Sequence, residues 1–190
     1  MLKIVAERQA IDNAQALGAR LSLEYHGPRR IFILCSPDQW LEGRRGNRSV
    51  RVWTYTTGFG RSRMRWMAAG VGLTVESPAQ FELRPASFTT KMLAWCKKSP
   101  TYTGDEAFDR QWYLHTTDAR LVLSLTDPVR RMLRNLPTNN SSRVSISNKT
   151  LFYAEHGSFL WKHSVRQMER YLPVMLELAA AMETAAQVPD

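Results

Sequence analysis

Cysteine is nearly missing from this chain. Only Cys35 and Cys96 occur in 190 residues, the first on an apolar run and the second beside Trp95. A disulfide framework is therefore excluded, and two buried thiols in a reducing compartment are the expectation. No apolar run approaches the roughly 18 to 20 residues needed to span a bilayer. Residues Met1 to Arg8 mix acid and base where a signal peptide needs an apolar core. A soluble, unexported, cytoplasmic protein is expected.

The usual catalytic signatures are also absent. There is no Gly-x-Ser-x-Gly elbow, and Gly58-Phe59-Gly60 is not followed by the Gly-Lys-Ser/Thr of a phosphate loop. His156 and His163, with Glu155 nearby, lack the His-x-x-x-His spacing of a helical zinc site. Neither cysteine has a base at a motif distance. The sequence thus predicts a protein that is not an enzyme, with no catalytic residue, no metal and no cofactor. Internal repeats and low-complexity linkers are missing too. With 44% hydrophobic residues, the expectation is one domain over residues 1–190, any division into two lobes falling near residues 86–102.

What is present begins with a helix. Ile4, Val5, Ile11, Ala14 and Leu17 recur at near-helical spacing, and Gly18 stands where a helix end favours a left-handed residue. Strands follow over residues 21–25 and 30–35, then a hairpin of residues 40–44 and 49–57 around Gly46-Asn47. From Arg61 to Val75 the residues alternate with strand period, arginines crowd one face, and Gly70 and Gly72 allow a bend. Phe81 to Arg84 reads as a short strand ended by Pro85, and residues 89–98 as a helical turn.

Thr103-Gly104-Asp105 is a turn in which glycine supplies positive φ and the aspartate bonds nearby amides. The sequence then predicts a strand carrying Phe108, Trp112, Tyr113 and Leu114, and helices over residues 119–125 and from Asp127-Pro128. A hairpin of residues 144–147 and 151–155 comes next. Val165, Met168, Leu172, Met175, Ala179 and Met182 then form one apolar stripe of a long helix, with a bend expected at Pro173. The fold class is α+β: a curved, mainly antiparallel sheet of hairpins packed by an N-terminal helix, a short central helical pair and a long C-terminal helix.

This order of signals resembles a family of uncharacterised bacterial proteins, a domain of unknown function. The matching pieces are Gly46 to Val52, Thr57 to Trp66, Phe81 to Pro85, the Thr103-Gly104-Asp105 turn, Phe108-Asp109-Arg110 and Asp118. The resemblance spans most of the chain. It implies fold and brings no activity; many members of that family carry transmembrane segments that are missing here.

Asp105, Glu106 and Asp109 raise the idea of paired carboxylates or a metal site. Turn chemistry and local ion pairing, with Arg110 available to Asp109, account for them more simply. The stronger functional signal is charge. The chain carries +9 formally, and Arg44, Arg45, Arg48, Arg51, Arg61, Arg63 and Arg65 fall in two adjoining hairpins, interleaved with Trp53, Tyr55, Phe59 and Trp66. Guanidinium forks suit phosphate or carboxylate, and ring faces suit unpaired bases. The bland alternative is a solvated face whose aromatics point inward. The leading functional reading is a non-enzymatic binding or scaffold module, with Arg44, Arg45, Arg48, Arg51, Arg61, Arg63, Arg65 and Trp66 as candidates for anion or partner binding. Its candidate partners are an acidic protein, nucleic acid or an anionic membrane surface, including peripheral contact with the inner membrane. The alternative is nucleic-acid binding through the arginine hairpins, and an enzyme built on the acidic turn comes last.

Overall fold

The computed structural model describes residues 2–27, 39–74, 79–86, 100–136 and 141–187. Cys35, Cys96, the strand expected at residues 30–35 and the helical turn expected at residues 89–98 lie outside them. Helix α1 (Leu2–Leu21) is followed by strands β1 (Glu24–His26), β2 (Trp40–Arg45), β3 (Arg48–Thr57), β4 (Met64–Gly72) and β5 (Phe81–Pro85). Helix α2 (Glu106–Gln111) leads into β6 (Trp112–Thr116), and α3 (Arg120–Leu123) and α4 (Asp127–Arg134) follow. Strands β7 (Arg143–Ser147) and β8 (Thr150–His156) precede α5 (Lys162–Ala186).

The strands form one open, antiparallel sheet of eight, in the order β1-β2-β3-β4-β8-β7-β5-β6. The α+β architecture expected from the sequence is the one observed. One face buries alternate residues such as Leu41, Val52, Met67, Val71, Leu83, Leu114 and Leu151 against the helices. Over that face lies α5, whose Val165, Met168, Leu172, Met175, Ala179 and Met182 are all buried, as the stripe predicts. The helix runs unbroken through Pro173. Pro173 is exposed, so the carbonyl left without a partner four residues earlier is on the side where water reaches it.

Three elements differ from expectation for local reasons. Helix α1 passes Gly18 and ends at Leu21, because Ser22 takes the left-handed turn at φ 47°. The Ser22 and Leu23 amides then close on the Ala19 and Gly18 carbonyls at 3.3 and 2.8 Å, the double bond of a Schellman ending. Gly18 has a different use: a Cβ there would stand 2.8 Å from the Leu23 oxygen and 3.1 Å from Leu41. Phe108-Asp109-Arg110 lies in α2 and not in a strand, since the Asp105 side chain accepts from the Phe108 amide and starts a helix that ends at Trp112. Gly70 does not bend β4, which keeps register with β3 and β8 throughout. It makes room, because a Cβ there would meet the Trp53 ring at 3.3 Å.

Candidate functional site

The acidic turn is used up by the fold. Gly104 takes φ 84°, and Asp109 accepts from the Thr103 amide and hydroxyl at 3.1 and 2.9 Å. Asp105 lies 3.3 Å from the Arg130 Nε and 3.6 Å from the Arg134 Nη1. The Phe108 amide, helped by these two arginines, holds its carboxyl below the ordinary aspartate range. Arg110 pairs with Glu106, one helical turn away, rather than with Asp109.

The histidines do not converge either. His156 sits on the open face of the sheet, edge-on to Trp66 at 4.2 Å between ring centres. Glu155 points the other way, fully buried beneath α5, and accepts from the Tyr153 hydroxyl at 2.8 Å. With its nitrogen turned to this carboxylate, the Gln167 carboxamide donates to both Glu155 oxygens at 2.9 and 3.1 Å and to His163 Nε2 at 3.0 Å. The stacked rings of Tyr153 and Tyr171 complete the cluster. Burial pushes the Tyr171 hydroxyl up to about 12 and raises that of Tyr153 well above its ordinary value. Among the described residues no group of three or more His, Cys, Asp or Glu side chains is placed to hold a metal ion.

The hairpins that carry the seven arginines do pair, through the shared strand β3. The side chains are nevertheless divided between its ends. Arg44, Arg45 and Arg48 flank the Gly46-Asn47 turn, where Gly46 takes φ 60°, while Arg61, Arg63 and Arg65 belong to the β3–β4 turn and the start of β4. A ten-residue strand separates the two groups by about 30 Å. Arg48 is engaged on the helix face: it forms a two-pronged pair with Glu183 of α5, Nη2 to Oε2 at 2.7 Å. Arg44 donates to the Asn47 carbonyl, and Arg51 lies over the Trp40 and Trp53 rings, 5.1 and 6.0 Å from their centres. Arg61, Arg63 and Arg65 are exposed.

The feature that sequence reasoning missed lies on the sheet face opposite the helices. Two hollows of about 310 and 300 Å3 adjoin there, sharing Tyr55, Arg143 and Ala154. Ala68 and Ala154 form a low floor, Trp53 and Phe152 one wall, and Trp66 with Arg84 the far end. The rings are packed on one another: Trp53 meets Phe152 edge-on at 6.0 Å, and Tyr55 stacks on Trp66 at 6.2 Å. Arg84 pairs with Glu82 of its own strand, whereas Arg143 is exposed at the shared lip. The signal available in the sequence was the small residue Ala68 alternating with Trp66 and Gly70; nothing local marked Arg143.

No family model matches the chain and no curated protein matches it, which is consistent with an uncharacterised family. Among solved structures, the crystal structure of the mycobacterial trehalose monomycolate transport factor A, TtfA, is similar at a TM-score of 0.58 and 9% identity, covering 96% of this chain and 99% of that one. That likeness shows the fold alone. Among the described residues, no helix is long and apolar enough to cross a membrane.

Proposed function

We propose that this chain is a non-enzymatic binding module, and that it holds an acidic partner across the sheet face opposite its helices. The observation that carries this reading is the exposed guanidinium of Arg143 at the lip shared by two aromatic-walled hollows. Such a groove suits an extended segment that places an apolar side chain on the Ala68 and Ala154 floor and a carboxylate beside Arg143. Asp105 and Asp109, the acids an enzyme would need, are engaged in capping and turn bonds, which supports binding over turnover. The neighbour of like fold is named a transport factor, a role compatible with binding.

Nucleic-acid binding has less support. The arginines stand at opposite ends of β3, and the ring faces that would stack on bases are occupied by Arg51 and by one another.

The test is a tryptophan-fluorescence titration with a terminally blocked peptide alternating Glu and Phe. Saturable binding is expected, abolished by Arg143→Glu, weakened by the floor-filling Ala154→Leu, and absent for the peptide with Lys in place of Glu. Failure of the chain to bind at low salt, or binding indifferent to both substitutions, refutes the reading.

A further inference from the structure

The tip of the β3–β4 hairpin is built to present an apolar ring to the outside. Phe59 is 93% exposed, and Met64, which opens β4, is 45% exposed. Neither exposure comes from a loose loop. Gly58 and Gly60 both take positive φ, and the Ser62 amide donates to the Phe59 carbonyl at 3.1 Å across a single 3-10 turn (Gly60–Ser62). A side chain at Gly58 would collide with the Ser62 carbonyl. At the hairpin base the Trp66 indole donates to the Thr57 hydroxyl at 2.7 Å. The backbone therefore fixes Phe59 outward at a cost in exposed apolar area that folding does not require.

The charge around it has one sign. From Gly43 to Val75 the sequence has seven arginines and no Asp or Glu. Arg61, Arg63 and Arg65 surround the apex, all exposed, and form no ion pair with an acid among the described residues. The segment entering α5 starts at the same end of the sheet, where the Gly157 amide donates to the Arg65 carbonyl. It carries Trp161, half exposed, followed by Lys162.

We propose that this hairpin tip docks on an anionic lipid surface, with Phe59 and Met64 entering the headgroup boundary and Arg61, Arg63 and Arg65 meeting lipid phosphates. The arrangement of one apolar apex ringed by guanidiniums matches an interface in which apolar groups lie a few ångströms deeper than the charges they accompany. Nucleic acid fits the tip less well. A single-stranded backbone runs along a groove of cations between free ring faces, whereas here the cations gather at a point and the Trp66 ring is already covered by Tyr55 and His156. The apex residues Phe59, Arg61, Arg63, Met64 and Arg65 do not line the groove around Arg143, which reaches only Thr57 and Trp66 at the hairpin base, so either reading stands if the other fails.

The experiment is co-sedimentation of the full chain with phosphatidylcholine vesicles containing or lacking phosphatidylglycerol, alongside an oligothymidine titration at the same ionic strength. Binding to the anionic vesicles is expected, with loss of about 100-fold on replacing Arg61, Arg63 and Arg65 together by alanine, since each basic residue near such a surface adds about one kcal/mol. Phe59→Ser should weaken binding about tenfold, and Phe59→Trp should give a blue-shifted emission on vesicle addition. Replacing Arg44, Arg45 and Arg51 by alanine removes the same charge from the other end of β3 and should leave vesicle binding nearly intact. Circular dichroism on each variant confirms the fold. Equal losses from the two triple variants, indifference to Phe59→Ser, or oligothymidine binding without vesicle binding would overturn the proposal.

Discussion

Replacing Arg48 by alanine probes how the end of α5 is fixed to the sheet. The Arg48 and Glu183 side chains are only 10% and 11% exposed, and Glu183 also accepts from the Thr74 amide at 2.6 Å. One carboxylate thus ties the last turn of α5 to the start of β3 and to the residues leaving β4. Breaking a buried ion pair from one side costs about 3–5 kcal/mol, because the remaining charge keeps its desolvation penalty without its partner. The Thr74 amide still compensates part of the Glu183 charge, so about 2–4 kcal/mol is expected. For a chain of this length that corresponds to a fall in melting temperature of roughly 5–15 °C by differential scanning calorimetry. The pH dependence supplies a second check. The guanidinium, as the main cause, holds the Glu183 carboxyl below its ordinary value of 4.5. The pair's contribution is therefore complete above that value and fades as pH falls through the lowered one, so the penalty of Arg48→Ala should shrink in acid. The double variant Arg48→Met with Glu183→Leu should recover most of the loss. A melting temperature within a degree or two of the parent for Arg48→Ala alone would mean that the pair is solvated, and would return Arg48 to the pool of available cations.

Other expectations follow from single contacts. Met168→Asp or Leu172→Asp places an unpaired charge in the core under α5 and should prevent soluble folding; a well-folded product would show that the helix stripe is not packed on the sheet. Asp105→Asn should lower the melting temperature at neutral pH through loss of the negative charge that both arginines face, although the asparagine oxygen can still accept from the Phe108 amide and cap the helix. The difference should vanish as pH drops through the depressed Asp105 value, because that contribution exists only while the carboxylate is ionised. Tyr171 should stay silent in ultraviolet titration until about pH 12. Since the unfolded phenol ionises near 10, the stability it lends is intact below that pH and lost between the two values. Gly58→Val should disorder the hairpin tip, visible as new proteolytic cleavage near Phe59, while the core melts as before.

The hairpins were legible because two-residue turns leave a local mark: Gly46-Asn47 and Asn148-Lys149 separate alternating segments, and Gly46 and Asn148 take φ 60° and 53°. The stripe on α5 was legible for the same reason, a period contained within one segment. The strand expected at Phe108 failed because the bulky residues at Trp112 to Leu114 drew the reading backward, although Asp105 followed by Glu106 and Ala107 is a helix start. The groove was out of reach. Its walls come from β3, β4, β8 and β7, and Arg143 acquires its neighbours only when residues some ninety positions apart fall into register. Arg48 shows the same limit, since its partner lies 135 residues downstream.

The strand order also sets a schedule. Strands β1 to β4 form a meander as they are made, but the free edge of β4 receives its neighbour only when β8 appears, about eighty residues later. At roughly 5–20 residues per second that edge waits about 4–16 s on the ribosome, a long interval for an unpaired strand in a crowded cell. Arg61, Arg63 and Arg65 stand at the leading end of that waiting edge. A foreign strand pairing onto that edge would have to crowd and partly desolvate these exposed charges, which is how cationic side chains blunt an open edge.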